Sequence, residues 1–154
     1  MRQFYEAYYD RLQALHKEIS KAISGLPLAA LDWQPGPNMN SLSVLVAHTA
    51  GAERYWIGDV VGQDPSGRIR SQEFKTRQLD ESELELLLQS TLAHSLAVLE
   101  KLTLEDLDQP RHSERDDATY TVAWALAHAL EHTGIHLGHI QIGREIWLMN
   151  KRVP

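Results

Sequence analysis

The sequence has no cysteine among its 154 residues. Disulfide bonds, thiolate metal ligands and a nucleophilic thiol of its own are therefore excluded, and any reactive sulfur must arrive with a second molecule. It also lacks a run of about eighteen apolar residues, which a membrane-spanning helix would need. The opening MRQFYEAYYDRLQ has charge and aromatic rings where a secretory leader would have an apolar stretch, so a soluble cytoplasmic protein is expected. Basic runs are missing too. With 15 Lys and Arg against 21 Asp and Glu, a formal net charge of −6, the chain has no electrostatic footprint for nucleic acid or an anionic membrane, and neither is an expected partner. Convincing strand alternation and internal repeats are absent. The length suits one domain over residues 1–154, burying about two-thirds of its unfolded surface in a single core.

What is present is helical periodicity. A first helix is predicted from about Gln3 to Ser24, with Phe4, Tyr8, Leu12, Leu15, Ile19 and Ile23 as its core face and Gly25 and Pro27 ending it. His16, between Lys17 and Glu18, reads as a surface residue. The segment 27–40 holds three prolines and reads as an ordered loop whose Leu31 and Trp33 can tuck onto the bundle end. Asn40 or Ser41 then caps a second helix that ends near Gly62. Its His48 shares an inward stripe with Val44, Leu45, Ala52, Tyr55 and Trp56. Residues 63–78 form a polar loop, long enough to imply service to a site or an interface. Asp80 caps a third helix whose buried side is Leu84, Leu88, Thr91, Leu92, Ser95, Val98, Leu99 and Leu102, with His94 given no role. A charged connection over 103–120 leads to Thr121 and a fourth helix reaching about Met149. Four amphipathic segments predict an all-α fold, a four-helix bundle with long inter-helix loops.

That last helix is where the chemistry concentrates. The stretch HALEHTGIHLGHIQIGR, residues 128–144, places His128, His132 and His136 on one stripe, with His139 one step round. Its flanks are apolar on several sides, which predicts a largely buried helix. Buried imidazoles need partners, because an unpaired polar group costs about 1–3 kcal/mol. Two histidines four apart offer two nitrogens on one face, a pattern divalent metals accept, and His48 is the inward histidine of a facing helix. Spacing alone allows either His128 with His132 or His132 with His136. Three packed histidines, satisfied by water and backbone, are the plainer alternative.

An inward histidine followed by AERYW, the approach LDWQPGPNMNSL to the second helix, a last helix with H-x3-H-x-G, and the closing GREIWL together resemble the DinB-like family, which includes YfiT-type bundles. The resemblance covers nearly the whole chain. It implies a divalent metal held by His48, His132 and His136, with Gly138 fixing the register and His128 outside the ligand set. Where this chain has His139 the family often has Gln, which makes His139 a candidate for a supporting hydrogen bond or an interface. The resemblance also implies a homodimer, and the extra apolar stripe of Trp124, Ile135, Ile142 and Ile146 on the last helix agrees with it.

Three functions compete. Three neutral imidazoles with open coordination positions suit zinc or nickel and can lower the pKa of a thiol or a water. The resemblance implies a thiol-dependent S-transferase, in which a low-molecular-weight thiol cosubstrate attacks a small-molecule electrophile. No catalytic residue is assigned; Glu53 and Tyr55 are the candidates for an acid or base. Metal-dependent hydrolysis ranks lower, since it calls for a carboxylate beside the metal and Glu131 points about 100° away from His132. A non-enzymatic, stress-related bundle with a ligand-binding or structural role is the third reading.

Overall fold

The computed structural model describes residues 3–151. Four long helical segments make a bundle, as the periodicity predicts. Helix α1 is Gln3–Ile23, a short α2 is Leu28–Leu31, α3 is Leu42–Glu53, a short α4 is Arg70–Glu73, α5 is Glu81–Leu99 and α6 is Val122–Asn150. The caps are those the sequence advertises. Ser41 Oγ accepts from Val44 N, Thr121 Oγ1 accepts from Trp124 N, and Asp80 and Glu83 form a reciprocal capping box.

Beyond α3 the helix widens into a π-helical stretch, Arg54–Val61, closed by Gly62 N donating to Ile57 O at 2.9 Å. An i→i+5 stretch is uncommon and shifts side chains around the axis. Here it leaves Tyr55, Trp56, Ile57, Val60 and Val61 all buried.

Three predictions about connections need correction. The segment 103–120 is not only a charged loop: Pro110–Ser113 (β1) and Ala118–Thr121 (β2) pair antiparallel as a small hairpin, with Arg111 opposite Tyr120. It docks on the π-helical stretch, where Ser113 Oγ and the Tyr55 hydroxyl lie 2.8 Å apart and Arg111 Nε donates to Val61 O. The segment 63–78 contains α4. The segment 27–40, expected as a loop, opens with α2; its Leu31 is fully buried and Trp33 meets Trp147 at 5.5 Å, which seats the segment on the bundle end.

The core splits along the bundle. Tyr5, Leu12, Trp56, Leu99 and Leu126 belong to one cluster; Ile19, Leu31, Val46, Leu84, Leu88 and Ile140 belong to the other. Phe4 lies outside both, exposed and edge-on to Tyr5.

His16 is not at the surface. It is buried, its Nε2 lies 2.6 Å from Glu53 Oε2, and Ser95 Oγ donates to Glu53 Oε1 at 2.7 Å. Its spacing from Leu12, Ile19 and Ile23 places it on the core stripe, and the flanking Lys17 and Glu18 say nothing about that face. A buried carboxylate needs such partners, because removing one leaves an uncompensated charge.

Candidate metal centre

His48 stands in the middle of α3, His132 and His136 in the middle of α6, where the two helices pack together. The ring centroids are 5.0 Å apart for His48 with His132, 5.0 Å for His48 with His136, and 4.4 Å for His132 with His136. One nitrogen from each ring lies within 4.8 Å of the others, a group that could hold a metal ion. His48 is buried, while His132 and His136 are partly open, so the group meets solvent on one side.

The two rings on α6 are held neutral. Burial, reinforced by His136 and His48, pushes the His132 pKa down to about 3, and burial with His48 and His139 pushes His136 down to about 4. Neutral imidazoles keep lone pairs available. The buried Nδ1 of His132 has no hydrogen-bond partner, and a buried nitrogen in that state fits a cation taking its lone pair.

The surrounding residues divide by what they touch. His139 Nδ1 lies 3.3 Å from His136 Nδ1 on an exposed edge, the supporting hydrogen bond its position allowed. His128 lies outside the group: it stacks on Trp124 at 4.9 Å, meets Trp56 edge-on at 4.8 Å and lies 6.0 Å from the His132 ring, which links the group to a ring series that runs back through Tyr120. Its Nδ1 faces Glu131, which is otherwise exposed.

Neither acid–base candidate is free for the centre. Glu53 is committed to His16 and Ser95, and the Tyr55 hydroxyl is bonded to Ser113 and to Arg115 N.

The residue the sequence did not disclose is Glu73. From α4 its Oε2 lies 2.8 Å from His48 Nδ1, Arg68 Nη2 donates to the same oxygen at 2.8 Å, and Arg68 Nε donates to Oε1. Burial alone would raise this carboxyl, but the hydrogen bonds from Arg68 and His48 and their charges outweigh it and hold it below its ordinary range. Phe74 packs on the His48 ring at 4.9 Å. The only signal was the length of the 63–78 segment. Arg68 and Glu73 also line a cavity of about 560 Å³ with Ala47, Gly51, Thr91 and His94.

Fold and centre together define a helical bundle with an interhelical three-histidine group. The family model described as the DinB superfamily matches residues 11–140, and the chain belongs to that superfamily. Among solved structures it is similar to a conserved protein from Enterococcus faecalis, at 14% identity and a TM-score of 0.79 over 95% of this chain and 98% of that one. It is also similar to YfiT from Bacillus subtilis, described as a probable metal-dependent hydrolase with an unusual four-helix bundle topology, at 15% identity and 0.75 over 94% and 89%. A mycothiol-dependent maleylpyruvate isomerase matches at 14% identity and 0.62, over 89% of this chain and 62% of that one. No curated protein sequence matches the chain. Among the described residues no helix is long and apolar enough to cross a membrane.

Proposed function

We propose that His48, His132 and His136 hold a divalent metal ion, zinc or nickel, and that the protein is a thiol-dependent S-transferase acting on a small-molecule electrophile. The observation that carries this reading is the donor set, three converging imidazoles with an unpartnered buried nitrogen on His132. A nitrogen-only set suits zinc or nickel better than magnesium or calcium, which favour oxygen. A divalent ion there supplies Lewis acidity, which lowers the pKa of a thiol or water placed against it.

The chain's own part is to orient and to admit. His132 and His136 stay unprotonated near neutral pH, and the partly open side gives a small molecule access. With no cysteine in the sequence, the thiol comes from a second molecule. In the transfer a carbon–sulfur bond forms, the bond to the electrophile's leaving group breaks, and the thiol proton ends on that leaving group. The isomerase named for its dependence on mycothiol supports a thiol cosubstrate by analogy of fold.

Hydrolysis is the second reading, favoured by the carboxylate of Glu73 one hydrogen bond from His48 and by the description of YfiT as a probable metal-dependent hydrolase. It ranks second because both Glu73 oxygens are already engaged by Arg68 and His48, leaving no free base. We also propose that the protein is a homodimer through α6.

Elemental analysis of the untagged protein beside His48→Ala, His132→Ala and His136→Ala tests the centre, with folding followed by circular dichroism. The expected result is close to one metal ion per wild-type chain and loss of it in each folded variant. A wild type that resists zinc and nickel would leave a non-enzymatic, ligand-binding or structural bundle. On metal-loaded protein, conjugation across a panel of thiols and electrophiles supports the transferase. Thiol-independent turnover abolished by chelation supports the hydrolase instead.

A further inference from the structure

A histidine ligates through one ring nitrogen, and the hydrogen bond made by the other decides which nitrogen carries the proton. For His48 that second bond is to Glu73 Oε2, at 2.8 Å. An ionised carboxylate only accepts, so Nδ1 carries a proton, and in the neutral ring Nε2 is the nitrogen that keeps its lone pair.

The carboxylate is itself fixed from two further directions. Arg68 grips both oxygens with Nε and Nη2, a fork that sets the carboxylate plane as well as its position, and the two side chains are only 8% and 11% exposed. Gly51 supplies the space. It lies three residues after His48 on the same face of α3, and a Cβ there would overlap Glu73 Oε1. The atom that would have to move is the far end of the Glu73 side chain and not backbone, so a methyl at this position displaces the carboxylate and leaves the helix intact.

We infer that Glu73, locked by Arg68 and seated in the notch left by Gly51, is a positioning residue that holds His48 in the Nδ1–H tautomer with Nε2 presented to the other two histidines. The purpose assigned to that lone pair rests on the metal reading above. The 63–78 segment thereby acquires its function: it delivers the hydrogen-bonded partner of a ligand, together with the Phe74 ring packed beside it. Carboxylate partners of this kind typically contribute 10–100-fold to metal affinity.

The test uses the full chain in three forms, wild type, Glu73→Gln and Gly51→Ala. The first is a change of charge at constant size, because an amide cannot accept at both positions that Arg68 and His48 occupy. The second leaves every functional group in place. On chelator-treated samples, nitrogen-15 NMR of the imidazoles should show His48 of the wild type protonated at Nδ1, and both variants should lose that fixed tautomer. Zinc affinity, read by competition with a chromophoric chelator, should fall about 10–100-fold in both variants.

The two layers separate cleanly. A wild type with the Nδ1–H tautomer, lost in both variants, but with neither zinc nor nickel binding in any form would overturn the metal reading and support the positioning role. Zinc binding by a wild type whose His48 is protonated at Nε2 would overturn the positioning role alone. So would a Glu73→Gln protein with wild-type tautomer and wild-type affinity.

Discussion

His132 is the residue at which burial and titration oppose each other most. Its pKa is pushed from the ordinary 6.5 to about 3 by burial first and by the neighbouring histidines and Arg68 after it. In the unfolded chain the same ring takes up a proton near pH 6.5. The folded state therefore binds fewer protons between these values, and linkage makes stability rise with pH across that interval. For metal-free protein the contribution is complete above about pH 6.5 and is lost as the pH falls toward about 3. His136, pushed down to about 4, adds to the same loss. Urea midpoints measured on chelator-treated protein from about pH 7.5 to 4.5 should fall for the wild type and fall less steeply for His132→Gln. Parallel curves would show that His132 is accessible to protons in the native state. The three histidines were legible because period and face are properties of sequence. Which pair on α6 joined His48 was not, because His128 and His132 share the same spacing as His132 and His136; the rings of His132 and His136 both meet His48, while His128 packs on Trp124 and Trp56. His16 is the opposite case. Its charged sequence neighbours point to solvent, while the stripe it shares with Leu12 and Ile19 points to the core, and the stripe wins.

Elements were legible where they carried their own signals. Ser41, Asp80 and Thr121 are side chains that satisfy orphan amides at helix starts, and each caps the helix it precedes. Ser41 is the informative one, because it begins the helix that carries His48 and is itself buried. Replacing it with Ala should lower unfolding free energy by about 1 kcal/mol, read by denaturant titration, while metal content stays that of the wild type. Loss of the metal along with the cap would mean that α3 is positioned by its first turn and not by packing against α6. The elements that escaped are those whose reasons lie elsewhere in the chain. The four-residue α4 has no periodicity to detect, and what fixes it is the ion pair of its Glu73 with Arg68 and the bond to His48. The hairpin's strands are four residues each, too short for alternation to show, and they are held by Tyr55 and Val61 of the π-helical stretch. That stretch is a distortion of an otherwise ordinary helical pattern and leaves no mark in residue spacing.

At the scale of the whole molecule, α6 carries more apolar surface than the bundle covers. One side of it packs inward through Val122, Ala125, Leu126, Ala129, Thr133, Ile140 and Gly143. On another, Trp124, Ile135, Ile142 and Met149 are 44%, 53%, 57% and 64% exposed. The last three recur every seven residues, so they line one side of the helix, a seam of the kind two helices bury against each other. Gly134 and Gly138 lie close by with open space beside them, which would let a second backbone approach. The proposed homodimer covers this seam, and its expected mass is twice the 17.5 kDa of the chain. Sedimentation at micromolar concentration should give that mass for the wild type, and Ile142→Glu should give the monomer, because a buried unpaired carboxylate costs several kcal/mol. Ile142 is not part of the histidine group, so the variant should keep its metal; a monomer that lost metal as well would tie the centre to the assembly. A wild type that sediments as a single chain would leave the seam exposed to solvent and remove the dimer from the reading of this protein.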